Sequence, residues 1–229
     1  MKKIVVIISS ILFLNICLSA QKNELITVKA GTKVLDYFPV QKRYRYQEFI
    51  NGQVLFKNGI VNKAKLNYNF LNGEMEFIQS RDTLLIAGKK DIRIVVIGQD
   101  TIFYDNGYLE LISGGSVKVG LKQYIKLKDV LKKGAFGVTA RSVSIDSYNS
   151  MAAGGNFYEL TPDEDIVLEK FKKYYLSYGS SGFVPYRKKN VMDLFPQKVT
   201  EIQKYLKSNK VNFYSVDDLL RFAEYLRSL

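Results

Sequence analysis

The stretch KLNYNFLNGEMEFI, residues 65–78, shows most clearly how this chain folds. Apolar and polar side chains alternate on both sides of Asn72-Gly73, and a period of two residues is typical of a half-buried strand. Asn-Gly between two such runs is the strongest short-range signal for a β-hairpin. The stretch therefore predicts two antiparallel strands, each with a dry and a wet face. On the wet faces we expect Lys65, Asn67, Asn69, Glu74 and Glu76.

The same pattern extends from about residue 44 to residue 159. Further Asn-Gly pairs occur at Asn51-Gly52, Asn58-Gly59 and Asn106-Gly107, and β-rich runs such as Ile92–Ile97 lie between the turn signals. Many short strands joined by tight turns predict an antiparallel meander, in the form of a curved sheet or a partial barrel. We expect this β domain to span residues 21–160.

The pattern changes from residue 161 onward. Thr161-Pro162-Asp163-Glu164 has the form of a helix capping box with proline at the first helical position. Apolar residues follow it at helical spacing, namely Val167, Phe171 and Tyr174. Two further helices are predicted, one from near Pro196 and one capped by Ser215. The predicted fold class is therefore α+β, with residues 161–229 forming about three helices that pack on the sheet.

The amino-terminal residues resemble a secretory signal in composition. Lys2 and Lys3 precede an apolar run, and the small residues Ser19 and Ala20 offer a cleavage site. The run is interrupted by polar residues and is too short for a retained anchor. We expect residues 1–20 to be removed, which leaves no transmembrane span and a mature protein in the periplasm or cell envelope, or secreted. Lipidation at Cys17 is an alternative that the large Ile16 disfavours.

Residue types that are missing exclude several chemistries. The sequence contains no histidine, and its single cysteine lies inside the predicted signal. Disulfides, thiolate or imidazole metal sites and Ser-His-Asp triads are therefore excluded from the mature chain. We predict no catalytic residue, no metal site and no cofactor. A carboxylate-dependent hydrolase stays open through the pair Glu74 and Glu76, which lie on one strand face.

The chain is basic, with a net charge of +12 that becomes +10 without Lys2 and Lys3. Outside the cytoplasm the expected counter-charges are anionic lipid, acidic glycan or an acidic envelope protein rather than nucleic acid. Three basic clusters supply the candidate ligand-binding residues. These are Arg43 and Arg45 in a strip with tyrosines, then Lys118, Lys122, Lys126 and Lys128, and then Arg187, Lys188 and Lys189.

Each basic cluster also has a simpler interpretation. The strip around Arg43 and Arg45 suits an anionic ligand that stacks on aromatic rings, but it also suits an edge strand protected by charge. The lysines between residues 118 and 128 suit phosphate-bearing lipid or acidic glycan, but they also suit a solvated face.

Several segments of the sequence resemble uncharacterised exported proteins of Bacteroidetes-type bacteria. The resemblance lies in Phe56–Gly59, Leu66–Asn69, Gly73–Ile78, Lys133–Gly137 and Leu194–Lys207, and in a signal that ends in Ser-Ala-Gln. It implies a cell-envelope or secreted setting and no particular activity.

The sequence as a whole favours a non-catalytic binding or structural protein of the cell envelope. We expect its ligand to be anionic or amphipathic, to enter a concavity of the sheet and to meet the lysines at the rim. One alternative is an interaction module that docks through its helices and exposes an apolar patch around Phe222 and Leu226. The other is the hydrolase, which requires a deep pocket with at least two convergent acids.

Overall fold

The computed structural model describes residues 24–133, 139–142 and 159–229, with the backbone alone for residues 132, 133 and 139–142. The predicted signal, residues 1–20, lies outside the described residues. The described part of the chain forms one antiparallel sheet and a group of helices at its carboxyl end. The predicted α+β class is therefore confirmed.

The sheet contains twelve strands within the described residues. In chain order they are β1 (Leu25–Val28), β2 (Ile50–Phe56), β3 (Val61–Asn69), β4 (Glu74–Gln79), β5 (Asp82–Leu85), β6 (Ile92–Ile97), β7 (Asp100–Tyr104), β8 (Tyr108–Ser113), β9 (Val117–Lys133), β10 (Thr139–Ser142), β11 (Asp165–Tyr178) and β12 (Val184–Pro185). The helices are α1 (Val40–Arg43), α2 (Lys188–Leu194), α3 (Val199–Asn209) and α4 (Val216–Arg227).

The strand order is β1-β11-β9-β8-β7-β6-β2-β3-β4-β5, with β10 added to β9 and β12 added to β11. The sheet is open but strongly curved. The backbone N–H of Ile125 in β9 donates to the carbonyl of Phe70 at 2.6 Å, just beyond the end of β3. The Tyr68 hydroxyl donates to the Gln123 carbonyl at 2.8 Å. The curvature thus brings the turn after β3 against the middle of β9.

Three of the four Asn-Gly pairs lie between strands as predicted, at Asn58-Gly59, Asn72-Gly73 and Asn106-Gly107. The turn predicted at Asn51-Gly52 is wrong, because both residues lie inside β2. A β-carbon on Gly52 would stand 2.7 Å from the Val96 carbonyl oxygen on the neighbouring strand. Glycine is therefore present for close packing inside the sheet and not for a turn.

The helix predicted from Thr161 is also wrong, because residues 165–178 form strand β11. The presumed capping box lies in the approach to that strand, where the Pro162 carbonyl accepts a hydrogen bond from Gly31 at 2.8 Å. β11 pairs with β9 along its whole length. The third carboxyl-terminal helix is instead α2, for which we identified no start signal in the sequence.

The face of β3 and β4 that we predicted to be solvent-exposed is buried at its centre. Asn67, Asn69 and Glu76 are buried because α1 and the segment after it cover them. Glu76 accepts hydrogen bonds from the Tyr44 hydroxyl at 2.7 Å and from the side-chain amides of Asn69 at 2.8 Å and Asn72 at 2.9 Å. Because this buried carboxylate accepts three hydrogen bonds, it stabilises this face of the sheet.

Two apolar cores hold the fold together. The larger one lies within the curved sheet and includes Leu66, Met75 and Leu168. The smaller one joins α2, α3 and α4 to the neighbouring ends of β9 and β11. Arg227 of α4 reinforces this second core by donating to the Val117 carbonyl at 2.8 Å. Within the part of the chain that the structure describes, no helix is both long and apolar enough to cross a membrane.

Candidate functional site

One face of the β9–β11 pair carries lysines and aromatic rings side by side. Residues directly opposite each other in an antiparallel pair share a face. Lys122 stands opposite Lys173, and Tyr124 stands opposite Phe171. On the same face, Tyr175 follows Lys173 two residues later along β11. The pairing of two long strands thus assembles these side chains into a compact surface.

A cleft of about 360 Å³ opens over this surface. Its walls include two Asn-Gly turns, Asn72-Gly73 between β3 and β4 and Asn106-Gly107 between β7 and β8. Tyr68 and Tyr108 complete the lining. We call this site the aromatic–lysine cleft, and its side chains are those of Tyr68, Asn72, Asn106, Tyr108, Lys122, Tyr124, Phe171, Lys173 and Tyr175.

Ring contacts fix the aromatic part of the cleft. The centroids of Tyr124 and Phe171 are 4.8 Å apart with an angle of 36° between the rings. Tyr68 and Tyr108 meet edge to face at 5.9 Å. The ammonium groups of Lys122 and Lys173 lie 5.2 Å and 5.5 Å from the centroid of Tyr175. Both cations therefore stand near one ring, within the range of a cation–π interaction.

Lys122 is half-buried and held by the turn before β8. Its ammonium group donates to the Asn106 carbonyl at 2.6 Å and to the Asp105 carbonyl at 3.3 Å. Burial lowers the pKa of Lys122 below the ordinary value of 10.5, and the charge of Lys173 acts in the same direction, whereas Asp105 opposes both. Within the described residues, neither Lys122 nor Lys173 forms an ion pair with a carboxylate. The cleft is thus a positively charged site in which the charge of Asp105 lies near Lys122 but neither lysine has a carboxylate ion-pair partner among the described residues.

Two buried tyrosines differ in their hydrogen bonding. Tyr68 uses its hydroxyl to bind the Gln123 carbonyl. Tyr108 is only 2 % exposed, and its hydroxyl has no hydrogen-bond partner within the described part of the chain. Burial raises the pKa of both phenols, and the nearby charge of Glu74 raises them further. Both hydroxyls therefore stay protonated, and that of Tyr108 is left with an unused hydrogen-bonding capacity beside the cleft.

The structure places one predicted ligand-binding residue, Lys122, in the cleft and others beside it. Lys126 lies on the same face, 4.8 Å from the Phe171 centroid, and its ammonium group is 3.4 Å from Glu169. Lys128 shares Glu169 at 3.4 Å. Lys118 bonds to the Gly179 carbonyl at 2.9 Å. These three lysines extend the positive surface along β9 but already have partners.

Of the other predicted ligand-binding residues, Arg187, Lys188 and Lys189 lie at the start of α2. Arg187 precedes α2, and its charge acts on Tyr175 of the cleft by lowering the pKa that burial raises. Lys188 and Lys189 are exposed in the first turn of α2. All three residues therefore lie outside the cleft lining, with Arg187 near enough for its charge to act on Tyr175.

The two arginines of the strip near residue 44 lie apart from the cleft lining. Arg45 binds Glu110 through two hydrogen bonds of 2.9 Å and 3.0 Å, which raise its pKa. Arg43 ends α1, and its guanidinium carbon lies 4.6 Å from the Tyr44 centroid. The strip does not form an edge strand, because Arg43 is the last residue of α1 and Arg45 lies in a bend after Tyr44.

Sequence reasoning missed most of the aromatic side chains of the cleft, and it missed Lys173. Phe171 and Tyr175 fell inside the presumed helix, where their common face with Tyr124 could not be recognised. Residues 169–175, EKFKKYY, show no regular alternation of polar and apolar side chains, so no local signal distinguished this strand from a helix.

The features expected for the two alternative functions are not found at the residues named for them. Glu76 is buried among its three donors, and Glu74 pairs with Lys89 at 2.5 Å, so the two acids do not converge in a pocket. Phe222 and Leu226 are buried in the second core rather than exposed. Among the described residues, no group of three or more His, Cys, Asp or Glu side chains could hold a metal ion.

A larger depression of about 490 Å³ lies over β2, β3 and β6. Its lining includes Lys63 and Lys65, which are exposed, and it contains no aromatic ring. Exposed lysines without a ring to stack on are typical of a solvated sheet surface. The aromatic–lysine cleft is therefore the stronger candidate site.

The chain matches no protein-family model, and it has no significant match among curated proteins or among solved structures. Its function is therefore inferred from the geometry of the cleft.

Proposed function

We propose that this protein is an exported binding protein of the cell envelope that holds an anionic ligand in the aromatic–lysine cleft and catalyses no reaction. The proposal of export is supported by the composition of residues 1–20, in which two lysines precede an apolar run and small residues. The proposal of anion binding is supported by the charge and the shape of the cleft.

The observation that carries the proposal is the pair Lys122 and Lys173. They stand directly opposite each other across β9 and β11 without a carboxylate partner among the described residues. Like charges in this position repel, and burial of Lys122 adds a desolvation cost. An anion between them removes the repulsion and restores the electrostatic interactions that Lys122 loses on burial.

The rings around the lysines strengthen the attraction for such an anion. Tyr124, Phe171 and Tyr175 exclude water from one side of the charges, and a lower local dielectric increases Coulomb attraction. A concave site with several aromatic rings and a few convergent polar groups is the usual form of a small-molecule binding site.

Isothermal titration calorimetry with a set of anionic probes tests the proposal. The set consists of inorganic phosphate, citrate, uronic acid trisaccharides and phosphatidylglycerol vesicles. We expect saturable binding of at least one probe, an at least tenfold loss of affinity in Lys173→Met, and a change below twofold in Lys172→Met. Lys172 is the matched control because its exposed side chain carries the same charge on the opposite face of β11, outside the cleft lining.

The absence of binding for every probe would contradict the proposal, and so would an equal loss in both variants. Export is tested separately by determining the amino-terminal residue of the protein recovered from the native cell envelope. We expect it to begin at or near Gln21. Recovery of the uncut chain from the cytosol would contradict export.

A further inference from the structure

We infer that the ligand of the aromatic–lysine cleft is an acidic saccharide, which places a carboxylate between Lys122 and Lys173 and a sugar ring on the neighbouring aromatic side chains. This inference rests on the proposed function and adds the chemical class of the ligand. It follows from the types of side chain in the cleft, the free hydroxyl of Tyr108, the local charge and the volume.

The cleft lining contains rings, amides and ammonium groups but no aliphatic side chain. An acyl chain gains free energy by burial against aliphatic surface, which this lining does not offer. A pyranose ring has apolar C–H faces and a polar edge, and it is matched by flat rings bordered with hydrogen-bonding groups. The neighbouring rings of Tyr124 and Phe171 form such a platform. The lining therefore favours a saccharide over a lipid tail.

The hydroxyl of Tyr108 supplies a hydrogen-bonding group that the folded chain leaves unused. The side chain is 2 % exposed and lines the cleft, and its oxygen has no partner among the described residues. Buried polar groups in proteins are almost always hydrogen-bonded, so we assign this hydroxyl a partner on the ligand. The oxygen itself exposes almost no surface, so the neighbouring side chains must move slightly for the two to meet. A sugar hydroxyl can accept from this phenol or donate to it.

The local charge matches a single carboxylate. Lys122 and Lys173 contribute two positive charges, and Asp105 lies close enough to oppose the effect of burial on Lys122. Asp105 also accepts a hydrogen bond from the backbone of Phe183 at 3.1 Å, so its position is fixed. The site therefore has an excess of about one positive charge, which suits a monoanionic carboxylate better than a dianionic phosphate.

The volume sets the size of the bound segment. A cleft of about 360 Å³ is at the lower end of the range for small-molecule sites and has room for roughly one or two sugar rings. Further residues of a glycan would extend beyond the cleft toward Lys126, the next cation along the same face of β9.

The test is calorimetry with trisaccharides of galacturonate, glucuronate and mannuronate, each compared with its methyl ester. The ester keeps the rings and removes the negative charge. Phosphatidylglycerol vesicles and inorganic phosphate represent the other sources of anionic charge. We expect at least one uronate to bind at least tenfold more tightly than its ester, and no saturable binding of vesicles or phosphate.

Two variants locate the contacts. Lys173→Met should lower the affinity for the uronate at least tenfold, whereas Lys172→Met should change it less than twofold. Tyr108→Phe should lower the affinity threefold to tenfold. Because the Tyr108 hydroxyl has no partner among the residues that the structure describes, this variant should melt at the same temperature as the wild type or higher.

The outcomes separate the two proposals. Binding of vesicles or phosphate without binding of any uronate would overturn the saccharide inference and leave anion binding intact. Equal affinity for a uronate and its ester would overturn the role of the carboxylate. Failure of every anionic probe would overturn both. An unchanged affinity in Tyr108→Phe would overturn the assigned hydrogen bond.

Discussion

At the scale of single residues, the cleft contains an arrangement that opposes folding. Lys122 and Lys173 face each other directly across two paired strands. Opposite charges in this position stabilise a sheet, and like charges destabilise it by roughly 0.2–1 kcal/mol. A pair of this kind is understandable if an anion occupies the site, since the ligand then removes the repulsion.

This arrangement predicts that function and stability change in opposite directions at residue 173. Lys173→Met should raise the free energy of unfolding by up to about 1 kcal/mol, because the like-charge contact disappears. The same variant should lose anion binding. Urea denaturation measures the first effect and calorimetry the second, with Lys172→Met as the control for both. A Lys173→Met protein less stable than the wild type by more than about 1 kcal/mol would contradict this account.

The lowered pKa of Lys122 predicts that anion binding depends on pH. An anion binds the protonated lysine, and burial together with Lys173 lowers the pKa of Lys122 in the free protein, while Asp105 opposes this shift. Between neutral pH and pH 10, anion binding should therefore be strongest at neutral pH. It should weaken as the pH rises through the pKa of Lys122, which lies below the ordinary value of 10.5. Tyr175 stays neutral longer than an ordinary tyrosine because burial raises its pKa.

Titrations between neutral pH and pH 10 test this dependence, with Lys122→Arg as the comparison. Arginine keeps its charge throughout the range, so the variant should lose less affinity at high pH than the wild type. Parallel curves for the two proteins would show that Lys122 is not the titrating group.

At the scale of strands and turns, the buried carboxylate of Glu76 connects the fold to the site. It accepts from Asn72, which belongs to the Asn-Gly turn that forms one wall of the cleft. Glu76→Ala would leave the Tyr44 hydroxyl and the Asn69 and Asn72 amides without their acceptor. We expect a loss of about 3 kcal/mol or more in the free energy of unfolding, since each unsatisfied buried group costs about 1–3 kcal/mol.

Urea denaturation measures this loss, and Glu48→Ala is the matched control because Glu48 is exposed. The control should change stability by less than about 0.5 kcal/mol. Anion affinity should fall in Glu76→Ala as the turn loses its support. A Glu76→Ala protein as stable as the Glu48→Ala protein would refute the structural role of this carboxylate.

The elements also show which parts of the fold the sequence reveals. Asn-Gly turns were recognisable because their signal is local and has a defined backbone geometry. β11 was not, because apolar and aromatic residues at Ile166–Leu168 and Tyr174–Leu176 satisfy both a helical and a strand period. Its pairing with β9 connects residues that are 34 to 61 positions apart, and this long-range pairing decides between the two periods.

The same distinction applies to the candidate site. Lys122 and Lys126 were found from the density of positive charge in one short segment. Lys173 and the ring of Phe171 were hidden by the wrong assignment of β11. The burial of Glu76 was not predictable from the sequence of β4 alone, because the residues that cover it lie around Tyr44, which is 32 positions earlier in the chain.

At the scale of the whole molecule, β9 connects the two cores. Val117 and Val119 at its beginning pack against the helices, and Ile125 and Leu127 further along belong to the larger core. Arg227 of α4 binds the Val117 carbonyl and the Ser113 hydroxyl, so the last helix is attached to the sheet by polar as well as apolar contacts. The helices and the sheet should therefore unfold together.

Phe222→Ala tests this coupling. Phe222 is fully buried at the centre of the second core, and its truncation should cost about 3–5 kcal/mol. Backbone amide resonances of the sheet and of α3 and α4, followed by nuclear magnetic resonance during urea denaturation, should report one transition, shifted equally by the substitution. Tyr214→Ala, at a residue that is 86 % exposed, should leave the transition unchanged. Two separate transitions would show that the helices form an independent unit.

The most direct test of the central claim is a nuclear magnetic resonance titration of the isotope-labelled chain with uronic acid trisaccharides. The account predicts that the largest changes in backbone amide shifts occur on the facing segments of β9 and β11, at residues 122–124 and 171–175, and that Lys173→Met abolishes them. Changes concentrated around Lys63 and Lys65, or no saturable change at any amide, would contradict it.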